Sequence, residues 1–345
     1  MSEYAQIPMK FVGPLKVSGP VIEGEYEVPL ATYETPLWPS VNRGARVSMH
    51  CEGGIQCTVI DDRMTRSVLF EAPDATAAFL ALERIRADFP ILGKVVEGTS
   101  RFAKLININA QIAANLLYVR FEFTTGDASG HNMCTQAAEA LMNTILEQHP
   151  NLKYGSISGN FCSDKKATAV NGILGRGKYV VAEVTIPAKI CRRYLKTTPA
   201  KVVQLNIRKN LIGTLLAGGV RSANAHFANM LLGFYLATGQ DAANIVEGSQ
   251  GFTLCEEREG DLYFSVTLPN LIVGTVGNGK GLDFVLENMQ RMGLTEARKP
   301  GENSKRLACL CAAQVLCGEL SLLAAQTNPG ELMDAHRRIE RAVAL

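Results

Sequence analysis

The sequence predicts an α+β protein: a helix-rich body interrupted by a compact βαββαβ unit. Strand-like alternation and helical stripes succeed one another between Ser67 and Ile157, whereas the flanking segments carry long apolar stretches of helical character. A chain of 345 residues with 47% hydrophobic content also exceeds what one simple core needs. The expected division is therefore residues 1–66 and 158–345 for the body and 67–157 for an inserted unit.

Within that unit, the apolar run Val68 to Phe70 reads as a strand, and Asp74 can cap a helix whose Ala78, Leu82, Ile85 and Phe89 share one face. "KLININ" alternates Ile106 and Ile108 with asparagines, "LLYVRFEF" alternates Leu117, Val119, Phe121 and Phe123 with polar positions, and "AAN" joins the two as a hairpin. A second helix is expected from about Ala128 to Gln148, with Met133, Ala137, Leu141 and Ile145 as its stripe, before "LKYGSIS" returns as a strand. This order is the split-βαβ plan of a ferredoxin-like domain. In the body, residues 210–246 are apolar nearly all round and predict a long central buried helix, with Asn224, His226 and Asn229 as polar groups needing partners. Leu307 to Ala325, interrupted by Gln314 and Glu319, predicts a buried helix in place of a membrane span.

A formal net charge of +2 sets up no field that would gather nucleic acid or an acidic membrane. Nine cysteines without a repeated CxxC predict buried thiols in a reducing cytoplasm, with neither a disulfide framework nor a metal site. The N-terminus lacks the basic start and apolar block of a signal peptide.

Chemistry is suggested in a few places only. Asp164, Lys165 and Lys166 stand together in "SGNFCSDKKATAVNGILGRGKYVVAEV", among residues that a chain buries, and buried charges need partners or a task. Gly172 to Lys178 fits the spacing of a phosphate loop, but Tyr179 stands where a Ser or Thr must hold magnesium. "GTVGNGKG", Gly274 to Gly281, lacks the Rossmann register and reads as a tight turn. "TTGDASGHN" ends a strand and opens a helix among small residues; this leaves backbone N–H groups for a phosphate, or needs only Asp127 as a cap. Glu34, Asp241 and His336 are isolated in sequence, and spacing alone cannot group them.

"SGNFCSDKKATAVNGILGRGKYVVAEVTIPAK", "TTGDASGHNMCTQAAEAL", "NIRKNLIGTLLAGG", "NAHFANMLLGFYLATGQDAANIV", "LPNLIVGTVGNGKGL" and "GELSLLAA" together resemble 3-hydroxy-3-methylglutaryl-CoA reductases over nearly the whole chain. The DKK run and the C-terminal histidine resemble the branch that includes the eukaryotic enzymes. The resemblance implies a large acyl-CoA-binding domain with an inserted ferredoxin-like domain for NADPH. It implies a soluble, cytoplasmic homodimer or homotetramer whose active sites combine residues of two subunits. The reaction implied is reduction of the acyl-CoA to mevalonate with release of coenzyme A. Alternatives are another acyl-CoA on the same fold, NADH-linked oxidation of mevalonate, or a nucleotide- or CoA-binding protein without turnover.

By the same resemblance Lys165 is the catalytic cation, and Arg66, Ser158, Asp164 and Lys166 hold the substrate carboxylate. Glu34 is the acid that protonates the carbonyl oxygen, Asp241 links Lys165 with Glu34, Asn229 completes that network, and His336 protonates the departing thiolate. Asp127, Ala128, Ser129, Gly130 and Asn132 correspond to the dinucleotide motif. Ser100, Arg101 and Phe102 lie near the adenosine 2'-phosphate, where an arginine fork favours NADPH. Arg43, Arg46 and Lys189 are candidate contacts for the CoA phosphates. Departures from the family pattern are Thr35 and Pro36 after Glu34, His131 in the cofactor motif, Arg221 in a segment usually rich in glycine, and Pro329 before His336.

Overall fold

β1 (Met9–Ser18) and β2 (Gly24–Ala31) pair antiparallel, and burial of Val12, Leu15, Val17, Val28 and Leu30 turns one face of this hairpin inward. The computed structural model describes residues 5–334 and residue 337. β3 (Ile55–Glu71) is the hinge of the architecture, because its 17 residues serve two sheets in succession. Its first half joins β1 in parallel and β7 (Gly177–Ile186) antiparallel, and β7 continues into β9 (Asp261–Leu271) and β8 (Phe252–Arg258). Met64–Glu71 pairs instead with β5 (Leu116–Thr124) on one side and β6 (Lys153–Ser156) on the other, and β5 carries β4 (Lys104–Ala113). The two sheet orders are β2-β1-β3-β7-β9-β8 and β6-β3-β5-β4, the second antiparallel throughout.

Each sheet has its own core. α2 (Ala75–Ala87), α3 (Phe89–Glu97) and α4 (His131–Gln148) cover the smaller sheet through Ala78, Leu82, Leu92, Ala137 and Leu141. Asp74 caps α2 as expected, its carboxylate accepting from Ala77 N at 2.7 Å. Phe89 does not share that helix; Pro90 opens a new one, and α2 ends at Ala87. α4 begins at His131, three residues later than expected, because Thr125–Gly130 is a turn in which Ala128 pairs with Val276 and Gly130 has a φ of 94°. A Cβ on Gly130 would lie 2.5 Å from the Thr125 methyl, so this turn needs glycine.

The larger sheet packs on α1 (Leu37–Ser48) and on the helix Glu302–Gln326. That helix is long and apolar enough to cross a bilayer, yet 94% of its most apolar window is buried inside the fold. Leucines such as Leu307, Leu310 and Leu316 contribute about 2 kcal/mol apiece by leaving water.

It, and not residues 210–246, is the central helix. The expected 37-residue helix is broken: helical turns over Asn206–Leu216 end at Gly218, and a loop runs to His226 before the helix Phe227–Ala237. The polar loop is held from outside. Asn224 donates to the carbonyls of Ser249 and Gly251, and its own oxygen accepts from Phe227 N at 3.1 Å, starting the new helix. The apolar residues before the break face outward, with Leu215 at 78% and Leu216 at 83% exposure. The phosphate-loop spacing is also explained: Lys178 lies in β7, buried, with its ammonium on the Val273 carbonyl and Asp62.

Candidate active site

Asp164, Lys165 and Lys166 sit in a loop between β6 and β7, and the backbone there is tense. Lys165 has a φ of 56° and Ser163 of 46°, so surrounding groups must hold this conformation. Its backbone N–H donates to Glu247 Oε1 at 3.2 Å, and the same oxygen accepts from the Asn244 amide at 2.8 Å. Asp164 Oδ1 accepts from Arg176 at 2.7 Å, and Arg176, 2% exposed, spans to Glu247 at 3.9 Å. The DKK run is therefore one surface of a buried ion cluster. Burial pushes the Glu247 carboxyl above the usual carboxylate range, against the N–H groups and the guanidinium that favour its charge. Burial acts in the same sense on Asp164, but the Arg176 guanidinium and His131 outweigh it and hold Asp164 low.

The Lys165 ammonium points the other way, into a cavity of about 510 Å³, where it meets Asp241 Oδ2 at 2.7 Å. The hydrogen bond that Lys165 donates to Asp241 raises the lysine pKa, which keeps Lys165 a cation. Asp241 loses some of this benefit to desolvation, yet Lys165 and the Ala243 N–H bring its pKa below the ordinary value. Arg66 lines the same cavity, with Nε anchored on the Ile157 carbonyl at 3.1 Å. Lys166 and Ser158 are exposed; the Lys166 ammonium folds back on the Asp164 carbonyl at 3.0 Å.

The opposite wall is the start of α4, Ala128 to Asn132. The helix has no side-chain cap. The Asp127 carboxylate, instead of capping its own helix, accepts from the backbone of Gly301 and Ser304 and so caps the helix Glu302–Gln326. The first turn of α4 is left open to the cavity, and a carboxylate that would repel an anion is turned away. Ser100, Arg101 and Phe102 do not line this cavity; Phe102 lies against Gly126 in the turn before α4, and the Arg101 guanidinium lies 4.7 Å from the Phe102 ring. His131, half-buried, faces Asp164 at 3.7 Å; burial and Arg176 lower its pKa.

Glu34 lies elsewhere. It lines a second cavity of about 440 Å³ with Arg43, His226, Asn229 and Leu332, and Asn229 donates to Glu34 Oε2 at 3.0 Å. Arg43 pairs with Glu331 at 2.6 Å, which holds Glu331 and Leu332 against this cavity. His226 Nε2 lies 3.0 Å from the Gly318 carbonyl, an acceptor only, so Nε2 is the donor of this hydrogen bond. Among the described residues the two cavities share no lining residue: Glu34 and Asn229 line one, Lys165 and Asp241 the other. Arg46 and Lys189 are exposed and line neither cavity. His336 lies outside the described residues.

Sequence reasoning missed Glu247, Arg176 and Glu319. The last is fully buried in the helix Glu302–Gln326 and accepts from the backbone N–H groups of Ala225 and His226, fixing the His226 loop. A glutamate interrupting an apolar helix was the available signal. Arg176 and Glu247 had none, because their partners are distant in sequence.

A family model described as hydroxymethylglutaryl-coenzyme A reductase matches residues 1–341. The chain belongs to the hydroxymethylglutaryl-CoA reductase family. It is 45% identical over 339 residues to the 3-hydroxy-3-methylglutaryl-coenzyme A reductase of Pyrococcus abyssi, covering 97% of this chain and 82% of that protein. The Aeropyrum pernix reductase is 43% identical over 338 residues, covering 97% and 80%. A class II 3-hydroxy-3-methylglutaryl-CoA reductase from Streptococcus pneumoniae, bound to NADPH in open conformations, matches with a TM-score of 0.75 at 19% identity, over 95% of this chain and 86% of that one. At that identity the likeness is one of fold.

Glu247 offers a test of how this reductase-family chain shapes its lysine loop. Glu247→Ala is expected to lower unfolding free energy by about 2 kcal/mol, because it takes the buried acceptor from Lys165 N–H and the Asn244 amide while Arg176 keeps Asp164 and Thr65. Glu247→Gln, which keeps an acceptor for Lys165 N–H, should retain most of that stability. Urea midpoints of the two variants check the difference.

Proposed function

We propose that the protein is an NADPH-dependent 3-hydroxy-3-methylglutaryl-CoA reductase that forms mevalonate and free CoA. The observation that carries this reading is the Lys165–Asp241 pair facing an uncapped helix start across one cavity. Residues 67–157 serve as a ferredoxin-like cofactor domain, with Ala128 to Asn132 on the diphosphate and Arg101 on the 2'-phosphate. The remainder is the acyl-CoA domain of a cytoplasmic enzyme.

Two molecules of the reduced dinucleotide, bound in succession with the oxidised one leaving in between, would each supply one hydride, the first to the thioester carbon and the second to the aldehyde carbon. Lys165 stabilises the oxyanion that forms in each step, and Asp241 aims its ammonium. Collapse of the first oxyanion breaks the carbon–sulfur bond, and the departing thiolate takes a proton from His336. Glu34 delivers the proton that turns the aldehyde oxygen into the product hydroxyl. Arg66, Lys166 and Ser158 hold the substrate carboxylate, and Arg43 with His226 meets the CoA end.

Because Glu34 and Lys165 line separate cavities of one chain, a complete site takes Glu34 from one subunit and Lys165 with Asp241 from another. The exposed apolar residues Ile207, Leu211, Ile212, Leu215 and Leu216 supply a surface for such a homo-oligomer. The reading of a different acyl group gains little from Arg221, which is turned onto the Gly172 carbonyl at 2.9 Å and lines neither cavity. Purified protein mixed with HMG-CoA should consume NADPH absorbance faster than NADH absorbance. Absence of turnover with both cofactors, from folded oligomeric protein, would overturn the assignment.

A further inference from the structure

We propose that Lys280 is a positioning residue of this site, whose ammonium locks the turn carrying Asp241 and thereby holds the carboxylate that aims Lys165. The inference rests on the reductase reading given above. Lys280 comes from the glycine turn "GTVGNGKG", which the proposed chemistry leaves without a role. It is 7% exposed and lines the same cavity as Lys165 and Asp241.

The turn that precedes Asp241 is pinned at three points. Gln240 donates to the Gly274 carbonyl and accepts from Gly274 N, both at 3.0 Å, joining it to the beginning of the glycine turn. Gly239 and Gly279 meet backbone to backbone with φ of 61° and 81°; a Cβ on Gly239 would lie 2.2 Å from the Gly279 carbonyl oxygen. Only glycine allows that approach. The third point is Lys280, whose ammonium donates to the Gly239 carbonyl, two residues before Asp241. Asp241 is also the one charge that favours its protonated form.

A structural lysine could have been spared this burial, since an amide or hydroxyl could satisfy a carbonyl. Burial lowers the Lys280 pKa to about 8, with Asp241 opposing the shift. Other charged groups lining the cavity are Lys165, Asp164, His131 and Arg66. The Lys165 pKa is raised, whereas those of Asp164 and His131 are lowered, so these three move away from this window. Loss of the Lys280 proton frees the Gly239 carbonyl and removes one of the two ammonium groups beside Asp241.

The test is kcat against pH, from about pH 6 to about pH 10, for wild type, Lys280→Arg and Lys280→Met. Wild-type kcat should fall by about tenfold in all as Lys280 deprotonates and then level off, and Lys280→Arg should carry that limb beyond about pH 9. Lys280→Met should lose about tenfold in kcat at neutral pH with no such limb and with KM for NADPH unchanged. A merely structural lysine would leave the limb in place in all three. A second readout uses no turnover: the folded protein binds fewer protons than the unfolded chain between about 8 and the ordinary 10.5, so stability rises with pH across that window. That rise should vanish in Lys280→Met. Active wild type whose pH profile the substitutions leave unmoved overturns the proposal alone; inactive wild type overturns the reductase reading and the proposal with it. Should Lys280→Met not fold, Lys280→Arg decides by its alkaline limb.

Discussion

Lys165→Ala is expected to lower kcat by at least about a hundredfold, the scale of losing one preorganised oxyanion donor. Asp241 accepts from the Lys165 ammonium at 2.7 Å, so removal of the side chain leaves a carboxylate facing the oxygen where negative charge must develop. The effect should fall on turnover and spare cofactor affinity. Of the residues proposed to hold the dinucleotide, Ala128 to Asn132 are on the far wall, and neither they nor Arg101 make a hydrogen bond to Lys165. Steady-state rates paired with NADPH titration of the nucleotide's own fluorescence separate the two. Near-normal turnover would remove Lys165 from this role.

The second large effect is a rescue. Glu34→Gln and Lys165→Ala should each be nearly inactive alone. Co-assembled from a common denatured or co-expressed pool, they should recover about a quarter of wild-type activity, since half of randomly paired dimers contain one site with both residues intact. This follows from Glu34 pairing with Asn229 in one cavity while Lys165 pairs with Asp241 in another. Were both residues to serve a site within one chain, every site in the mixture would lack one of them and no recovery would appear. Rates measured before and after subunit exchange decide the matter.

Local signals were well conveyed by the sequence. Asp74 announced its helix, the alternation around Ile108 and Val119 announced the β4–β5 pair, and the apolar run from Leu307 announced the core helix. Residues 210–246 misled because apolarity marks a surface that avoids water without saying what covers it. Leu215 and Leu216 are as apolar as core residues and are exposed in the single chain. Asp127 misled for a related reason: a cap is recognised by proximity, and the N–H groups it satisfies lie more than 170 residues away. Glu247 is 82 residues from the lysine it supports, and no spacing rule connects them. Motif resemblance assigned roles to Glu34, Lys165 and Asp241 together, but the separation of Glu34 from the other two needed coordinates.

β3 has one more consequence, for anyone wishing to exchange parts between relatives. The smaller sheet is entered in mid-strand, at Arg63 and Met64, not through a linker. Arg63 reaches Asp61 on its own strand and Glu122 in β5, both at 2.5 Å, so charge is sewn across the seam. A graft cut at residue 67 would have to reproduce the register of β3 against β7 and against β5 at once. Under the proposed cofactor assignment, changing cofactor preference is a matter for Arg101 and Phe102, whose side chains are exposed and where no strand has to be respliced.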